Sequence, residues 1–143
     1  MLEVADERTG ELVGMRAIRG AKIILADVKS PAKKGIQKGL EGNGFKLVAH
    51  SAEISRRLRV EVRAVELRVT QSFMTFGYFP RAAIKAVAKN SGQTYEKFYR
   101  AENEERSFVV QTEIANNRLL SEVFSHVLNQ IVNDKQLMRF LAQ

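Results

Sequence analysis

Leu120-Ser121-Glu122-Val123-Phe124-Ser125-His126-Val127-Leu128-Asn129-Gln130-Ile131 carries large apolar side chains at 120, 123, 124, 127, 128 and 131. That i, i+3, i+4, i+7 spacing draws one stripe down an α-helix, and a stripe so wide must be buried against another layer. Thr112 is placed to cap the start of this helix. After Asn133-Asp134 a short final helix returns Leu137, Phe140 and Leu141 to the core. The chain before the long helix reads as strands. The expected fold class is therefore α+β: a single domain over 1–143, with a mixed or antiparallel β-sheet of about four to six strands. Its two principal helices pack on one face.

The clearest strand lies upstream, in Leu58-Arg59-Val60-Glu61-Val62-Arg63-Ala64, where apolar and charged residues alternate with period two. This is a strand with one face buried and one in water. The phase slips at Ala64-Val65 and resumes at Val65, Leu67 and Val69, which predicts a β-bulge there. Residues 82–89 and 93–101 form a further pair of strands, joined at Asn90-Ser91-Gly92 by a turn whose residues tolerate positive φ. Shorter strands are expected at 2–5 and 22–26, and another extended piece at Phe45–Ala49. A polar bend follows at His50–Arg57. The segment 11–20 has no period and is read as an irregular connection, with one helical turn at Leu12–Met15.

A second helix is expected to begin at Ser30-Pro31, with serine as cap and proline where its missing N–H costs nothing. It ends at Gly42-Asn43-Gly44. Gly35 and Gly39 lie on its apolar side and form a GxxxG spacing. In so polar a helix this permits close approach to the sheet rather than pairing within a membrane.

With 143 residues, 45% hydrophobic and 27% charged, the chain has the composition of a globular domain. It has no cysteine, which excludes disulfides and thiolate metal sites. No apolar run reaches the ~20 residues that span a bilayer. The net charge of +7 is uneven: between Arg16 and Arg100, 18 Lys/Arg face 6 Asp/Glu. A basic middle is compatible with nucleic acid, anionic lipid or an acidic partner, and equally with a solvated sheet face.

Residues suited to catalysis are scattered. His50 and His126 make no metal-ligand spacing with acidic residues. Glycine-rich phosphate loops and a nucleophile elbow are both missing. Glu102, Glu104 and Glu105 crowd together, but without a partner placed to shift a pKa they read as solvated surface. No catalytic residue, cofactor or metal is expected, and the chain reads as a non-enzyme.

Two segments stand out as surfaces. Phe73, Met74, Phe76, Tyr78 and Phe79 fall within seven residues between two strands, with Arg63, Arg68, Arg81 and Lys85 flanking them. Exposed, they would contact a partner or an anionic membrane; otherwise they extend the strands into the core. Arg56, Arg57, Arg59 and Arg63 form a basic patch. With Tyr95, Phe98 and Tyr99 they would make a stacking platform for nucleic acid, but no RNA-binding motif accompanies them.

Val4-Ala5-Asp6-Glu7-Arg8 with Val13-Gly14, Gly44-Phe45, Leu58 to Val62, Asn90-Ser91-Gly92 with Tyr99-Arg100-Ala101, and the C-terminal pattern Val127-Leu128, Asn133-Asp134 and Leu137 to Leu141 together resemble the YajG-type family of uncharacterised bacterial lipoproteins. The resemblance covers nearly the whole chain. It implies an export signal and a lipid-anchor cysteine upstream of Met1, and a domain tethered in the cell envelope facing the periplasm. The abrupt, strand-like opening Met1-Leu2-Glu3-Val4 agrees with a sequence trimmed of those residues. The resemblance brings no established activity or functional residues; the expected role is contact with other envelope components, or service as an auxiliary subunit of a transport or lipid-trafficking complex. A basic nucleic-acid module is the alternative from another class.

Overall fold

The computed structural model describes residues 1–15, 22–48 and 55–143. Its elements run β1 (Leu2–Asp6), β2 (Leu12–Met15), β3 (Lys22–Ile24), α1 (Lys29–Gly42), β4 (Arg56–Gln71), β5 (Phe76–Asn90), β6 (Gln93–Glu102), β7 (Glu105–Ser107), α2 (Glu113–Val132) and α3 (Lys135–Ala142). The fold is α+β, as the periodicities imply. The described strands number seven rather than about four to six, and the described helices are the three expected, two long ones and the short final one.

The frame is the long hairpin β4–β5, whose 16- and 15-residue strands reach roughly 50 Å at the usual rise per residue. Each outer edge of this hairpin is covered by two short strands in tandem. Along β4 run β1, from Leu2 opposite Leu58 to Asp6 opposite Val62, and then β2, with Gly14 opposite Leu67. Both pairings are parallel, whereas β2 with β3 and β4 with β5 are antiparallel, so the sheet is mixed. Along β5 run β6 and then β7. The break between those two falls at Pro80. Its carbonyl accepts from the Asn103 N–H at 3.1 Å, so its missing N–H lies on that same edge. A proline there interrupts the ladder, and the chain steps outward before pairing again.

The bulge is real and sits at Arg63, between the pairs Val62–Ile84 and Ala64–Ala83, one residue before the expected slip. The turn Ser91-Gly92 has both residues at positive φ (47° and 84°), the two-residue hairpin loop that matches strand twist.

All six apolar positions of the 120–131 stripe are buried. They share one hydrophobic core with Leu58, Val60, Val62, Val65 and Leu67 of β4 and the β5 row Ala82, Ile84, Ala86 and Ala88. The alanines of β5 leave room for the helices to approach, and burying each large apolar side chain contributes about 1.5–3 kcal/mol, an upper figure because the unfolded chain already hides some area. Thr112 caps α2 as expected, its Oγ1 accepting from the Ala115 N–H at 3.2 Å.

Four local expectations are corrected. Leu12–Met15 is strand, not a helical turn: four residues are too few to show a period, and pairing with β3 and β4 decides them. No strand forms in 45–48, where Phe45 and Leu47 rest half-buried on the core; Ala49, like residues 16–20 and 50–54, lies outside the described residues. Helix α1 starts at Lys29, not after Ser30. Val28 occupies the cap position without a side-chain bond, and the Asp27 carboxylate takes the Ser30 N–H at 3.1 Å. The glycines of α1 approach α2, not the sheet. A Cβ at Gly35 would lie 2.9 Å from Leu128 Cδ1, and one at Gly39 would lie 2.3 Å from Val132 Cγ1. The two helix ends are further joined by Asn43 Nδ2, which donates to the carbonyls of Gly39 and Val132 at 2.9 Å each.

Candidate contact surface

With the helices on one face, the other face of the sheet is open, and the two ends of the long hairpin are the remaining prominent surfaces. The β4–β5 turn closes with the Ser72 N–H donating to the Thr75 carbonyl at 2.8 Å. Its central residues have nothing to pack on: Phe73 is 99% exposed and Met74 70%. Strand β7 lies against Phe76–Tyr78 and delivers Phe108 and Val109 to the same end, both exposed. The Gln111 N–H then donates to the Tyr78 hydroxyl at 2.8 Å, holding the start of α2 and its exposed Ile114 near the hairpin base. Five exposed apolar side chains therefore gather at one end of the sheet.

The five residues singled out in the sequence thus part company. Phe73 and Met74 are exposed at the tip. Phe76 is half-buried against the core and Tyr78 is fully buried. Phe79 lies on the open face beneath the Arg68 guanidinium, 4.5 Å from its ring centroid. Phe108, Val109 and Ile114 were missed as surface candidates. Phe108-Val109 reads only as a lead into the helix, and Ile114 stands off the stripe with no sequence sign of its neighbours.

Two of the four arginines of the basic patch are paired with carboxylates. Arg59 meets Glu3 at 3.2 Å, Glu7 at 2.8 Å and Glu61 at 3.0 Å, and Arg63 also binds Glu61. Arg56 is exposed and Arg57 half-buried. Of the cations that flank the apolar segment in the sequence, Arg81 pairs with Glu66 at 2.6 Å and Lys85, farther along β5, with Glu96 at 2.7 Å. The three aromatics do not form a platform: Phe98 is on the open face, while Tyr95 and Tyr99 point beneath the helices to Asp134.

Asp134 is the most heavily bonded carboxylate of the helix layer. Its Oδ1 caps α3 by accepting from the N–H groups of Gln136 and Leu137 at 2.8 and 3.2 Å. Its Oδ2 accepts from Lys97 Nζ at 2.6 Å and from the hydroxyls of Tyr99 and Tyr95 at 2.8 and 3.4 Å. Burial alone would raise its pKa, but the bonds from Lys97, Tyr99 and the α3 amides more than reverse this and hold it at about 2. Burial, and then the bond to Asp134, push the Tyr99 hydroxyl upward. This cluster pins α3 to β6, with every bond serving the fold.

Two clefts differ in character. One of about 620 Å³ on the open face is walled by Glu66, Arg68, Arg81 and Glu102, with Phe79 and Pro80 at its floor. Another of about 360 Å³, between α1 and α2, is lined mainly by Ile24, Val28, Leu120, Phe124 and Leu128. Among the described residues no group of His, Asp or Glu is arranged to hold a metal ion. His126 is exposed, and His50 lies outside the described residues. Glu104 and Glu105 are engaged on the surface by Arg106 and Arg118.

A family model described as "Uncharacterized lipoprotein" matches residues 1–142. The chain belongs to that family of uncharacterised lipoproteins. Solved structures share the lipoprotein's fold at low sequence identity. A minor lipoprotein from Acinetobacter baumannii superimposes with a TM-score of 0.52 at 10% identity, over 99% of this chain and 89% of its own. The protein XCC0632 from Xanthomonas campestris does so with a TM-score of 0.54 at 12% identity, over 99% and 82%. A third, titled only as an uncharacterized protein, reaches 0.59 at 11% identity over 93% and 90%. No curated protein has a matching sequence. No described helix of the lipoprotein is long and apolar enough to cross a membrane.

Proposed function

We propose that this chain is the folded domain of a YajG-type lipoprotein: non-enzymatic, held to the bacterial envelope by an N-terminal lipid, facing the periplasm and working through contact with other envelope components. The observation that carries this reading is the apolar end built from Phe73, Met74, Phe108, Val109 and Ile114, which the fold exposes instead of burying. Apolar groups concentrated on a soluble surface mark a site of association. Service as an auxiliary subunit of a transport or lipid-trafficking complex is one form such contact takes.

A protein partner is favoured over an anionic membrane at this end. Of the four flanking cations three are engaged by carboxylates, Arg63 by Glu61, Arg81 by Glu66 and Lys85 by Glu96, and the fourth, Arg68, lies over the Phe79 ring. The nucleic-acid reading is less favoured, since Arg59 and Arg63 are paired, leaving Arg56 and Arg57, and the aromatics are divided between two faces.

The test compares wild type with a Phe73→Ser/Met74→Ser variant. Thermal unfolding of the two should coincide, because neither side chain contributes to the core. Co-isolation of envelope proteins after mild cross-linking should fall at least severalfold in the variant. Unchanged recovery would refute the reading. Flotation with anionic vesicles, or binding to oligonucleotides that weakens steeply with salt, would move the function to a membrane or to nucleic acid.

A further inference from the structure

We propose that two copies of this chain pair edge to edge through β6, antiparallel and centred on Phe98. Strand β6 ends the sheet, so its outer edge has no strand partner among the described residues. Gln130 Nε2 donates to the Arg100 carbonyl at 3.1 Å from the helix layer, which shows that this carbonyl points away from β5. By strand alternation the backbone groups of Thr94, Glu96, Phe98, Arg100 and Glu102 point outward with it, while Tyr95, Lys97, Tyr99 and Ala101 bond to β5. The two-residue turn at Ser91-Gly92 gives the same assignment, because Asn90 and Gln93 are then a bonded pair. An unpaired row of this kind is a template for another strand.

The side chains select both partner and register. A two-fold axis through Phe98 sets Phe98 opposite its copy, Glu96 opposite Arg100 twice over, and Thr94 opposite Glu102. Every one of these is a bonded-pair position, and the ten residues of β6 overlap along nearly their whole length. Phe98 is 56% exposed, with Lys85 Nζ 5.8 Å from its ring. Arg100 has no carboxylate partner among the described residues, and Glu96, half-exposed, uses one oxygen for Lys85. Other registers are worse. Centring on Glu96 or Arg100 opposes like charges, centring on Tyr99 sets Glu96 against Glu102, and centring on Lys97 leaves Arg100 opposite Thr94. Charges directly opposite across strands favour or forbid a pairing according to sign. On forming, the contact replaces the Gln130 bond to Arg100 with backbone bonds from the second copy. A contact of two strands is small, so the dimer forms and dissociates readily.

Sedimentation velocity over a concentration series tests this. Wild type should pass from monomer to dimer as concentration rises. Glu96→Arg and Arg100→Glu should each raise the dissociation constant about tenfold or more, and the double reversal should restore it, because both pairs re-form with exchanged polarity. The chain has no native cysteine. Phe98→Cys should therefore cross-link to its own copy under mild oxidation, since the Cα separation of a bonded antiparallel pair, about 5.5 Å, suits a disulfide. Thr94→Cys should not. Circular dichroism confirms that each variant is folded. A monomer at every concentration, a dimer indifferent to either charge reversal, or a Thr94→Cys cross-link as fast as that of Phe98→Cys would overturn the proposal.

Discussion

Replacing Gly39 with alanine should destabilise the protein by about 1–2 kcal/mol, although alanine is the better helix former. In an exposed helix the change would stabilise by about 1 kcal/mol through propensity alone. Here the new Cβ would meet Val132 Cγ1 at 2.3 Å, Cβ at 2.6 Å and Cγ2 at 2.9 Å. Valine is stiff at χ1 and its Cβ is fixed to the α2 backbone, so no rotamer relieves all three contacts. The helices must separate, which loosens the packing of Ala32, Ile36 and Leu40, all buried. Overpacking of this kind costs about 1–3 kcal/mol or more and outweighs the propensity gain. Gly35→Ala is the internal control. Its Cβ would approach only Leu128 Cδ1 at 2.9 Å, the end of a flexible side chain, with Leu128 Cβ at 3.9 Å. Rotation there costs about 0.5–1.5 kcal/mol, so the net effect should stay within about 0.5 kcal/mol of zero. Thermal and urea unfolding followed by circular dichroism should show a midpoint lower by about 3–8 °C for Gly39→Ala and nearly unchanged for Gly35→Ala. A Gly39→Ala protein more stable than wild type, or a Gly35→Ala protein less stable than Gly39→Ala, would refute the close α1–α2 packing.

Three further outcomes follow from the same geometry. Asp134 is held at about pKa 2, below its ordinary value of 3.8, so its contribution is present above about pH 4 and is lost as pH falls through 2. With its partner Lys97 half-exposed that contribution is about 1–2 kcal/mol; Asp134→Asn, which keeps a cap on α3, should be less stable by this amount at pH 6, and the difference should shrink towards zero as pH falls through and below 2 in urea unfolding. Gly14→Ala would place a Cβ 2.1 Å from the Leu67 carbonyl oxygen, a backbone atom of the central strand, and should cost more than about 2 kcal/mol in the same assay. Phe76→Ser should lower the thermal midpoint, since Phe76 packs on the core, whereas Phe73→Ser should leave it unchanged.

Features set by neighbours in the chain were legible from the sequence. The α2 stripe, the alternation of β4, the Ser91-Gly92 turn and the Thr112 cap each depend on a local period or a local hydrogen bond. Features set by distant partners were not. The Leu12–Met15 segment is a strand because Gly14 can lie against the Leu67 carbonyl, more than fifty residues away. The GxxxG of α1 was correctly read as a close-packing device, but the surface it meets is Leu128 and Val132 of another helix. Arg59 looked like part of a free cationic patch because its partners Glu3 and Glu7 enter only through the parallel pairing of β1 with β4. The apolar end was half visible for the same reason. Phe73 and Met74 announce themselves in a tight turn, while Phe108 and Val109 join them only once β7 has paired with β5.

The central claim is that this lipoprotein acts by contact through the end that carries Phe73. The most direct measurement places a photo-activated cross-linking side chain at position 73 of the full-length protein in intact cells, with position 38, an exposed lysine on α1, as the comparison. The account predicts a protein adduct of defined mass at 73 that is absent at 38 and is lost when Phe108 and Val109 are changed to serine. Illumination that gives no adduct at 73, or the same adducts at both positions, would contradict it.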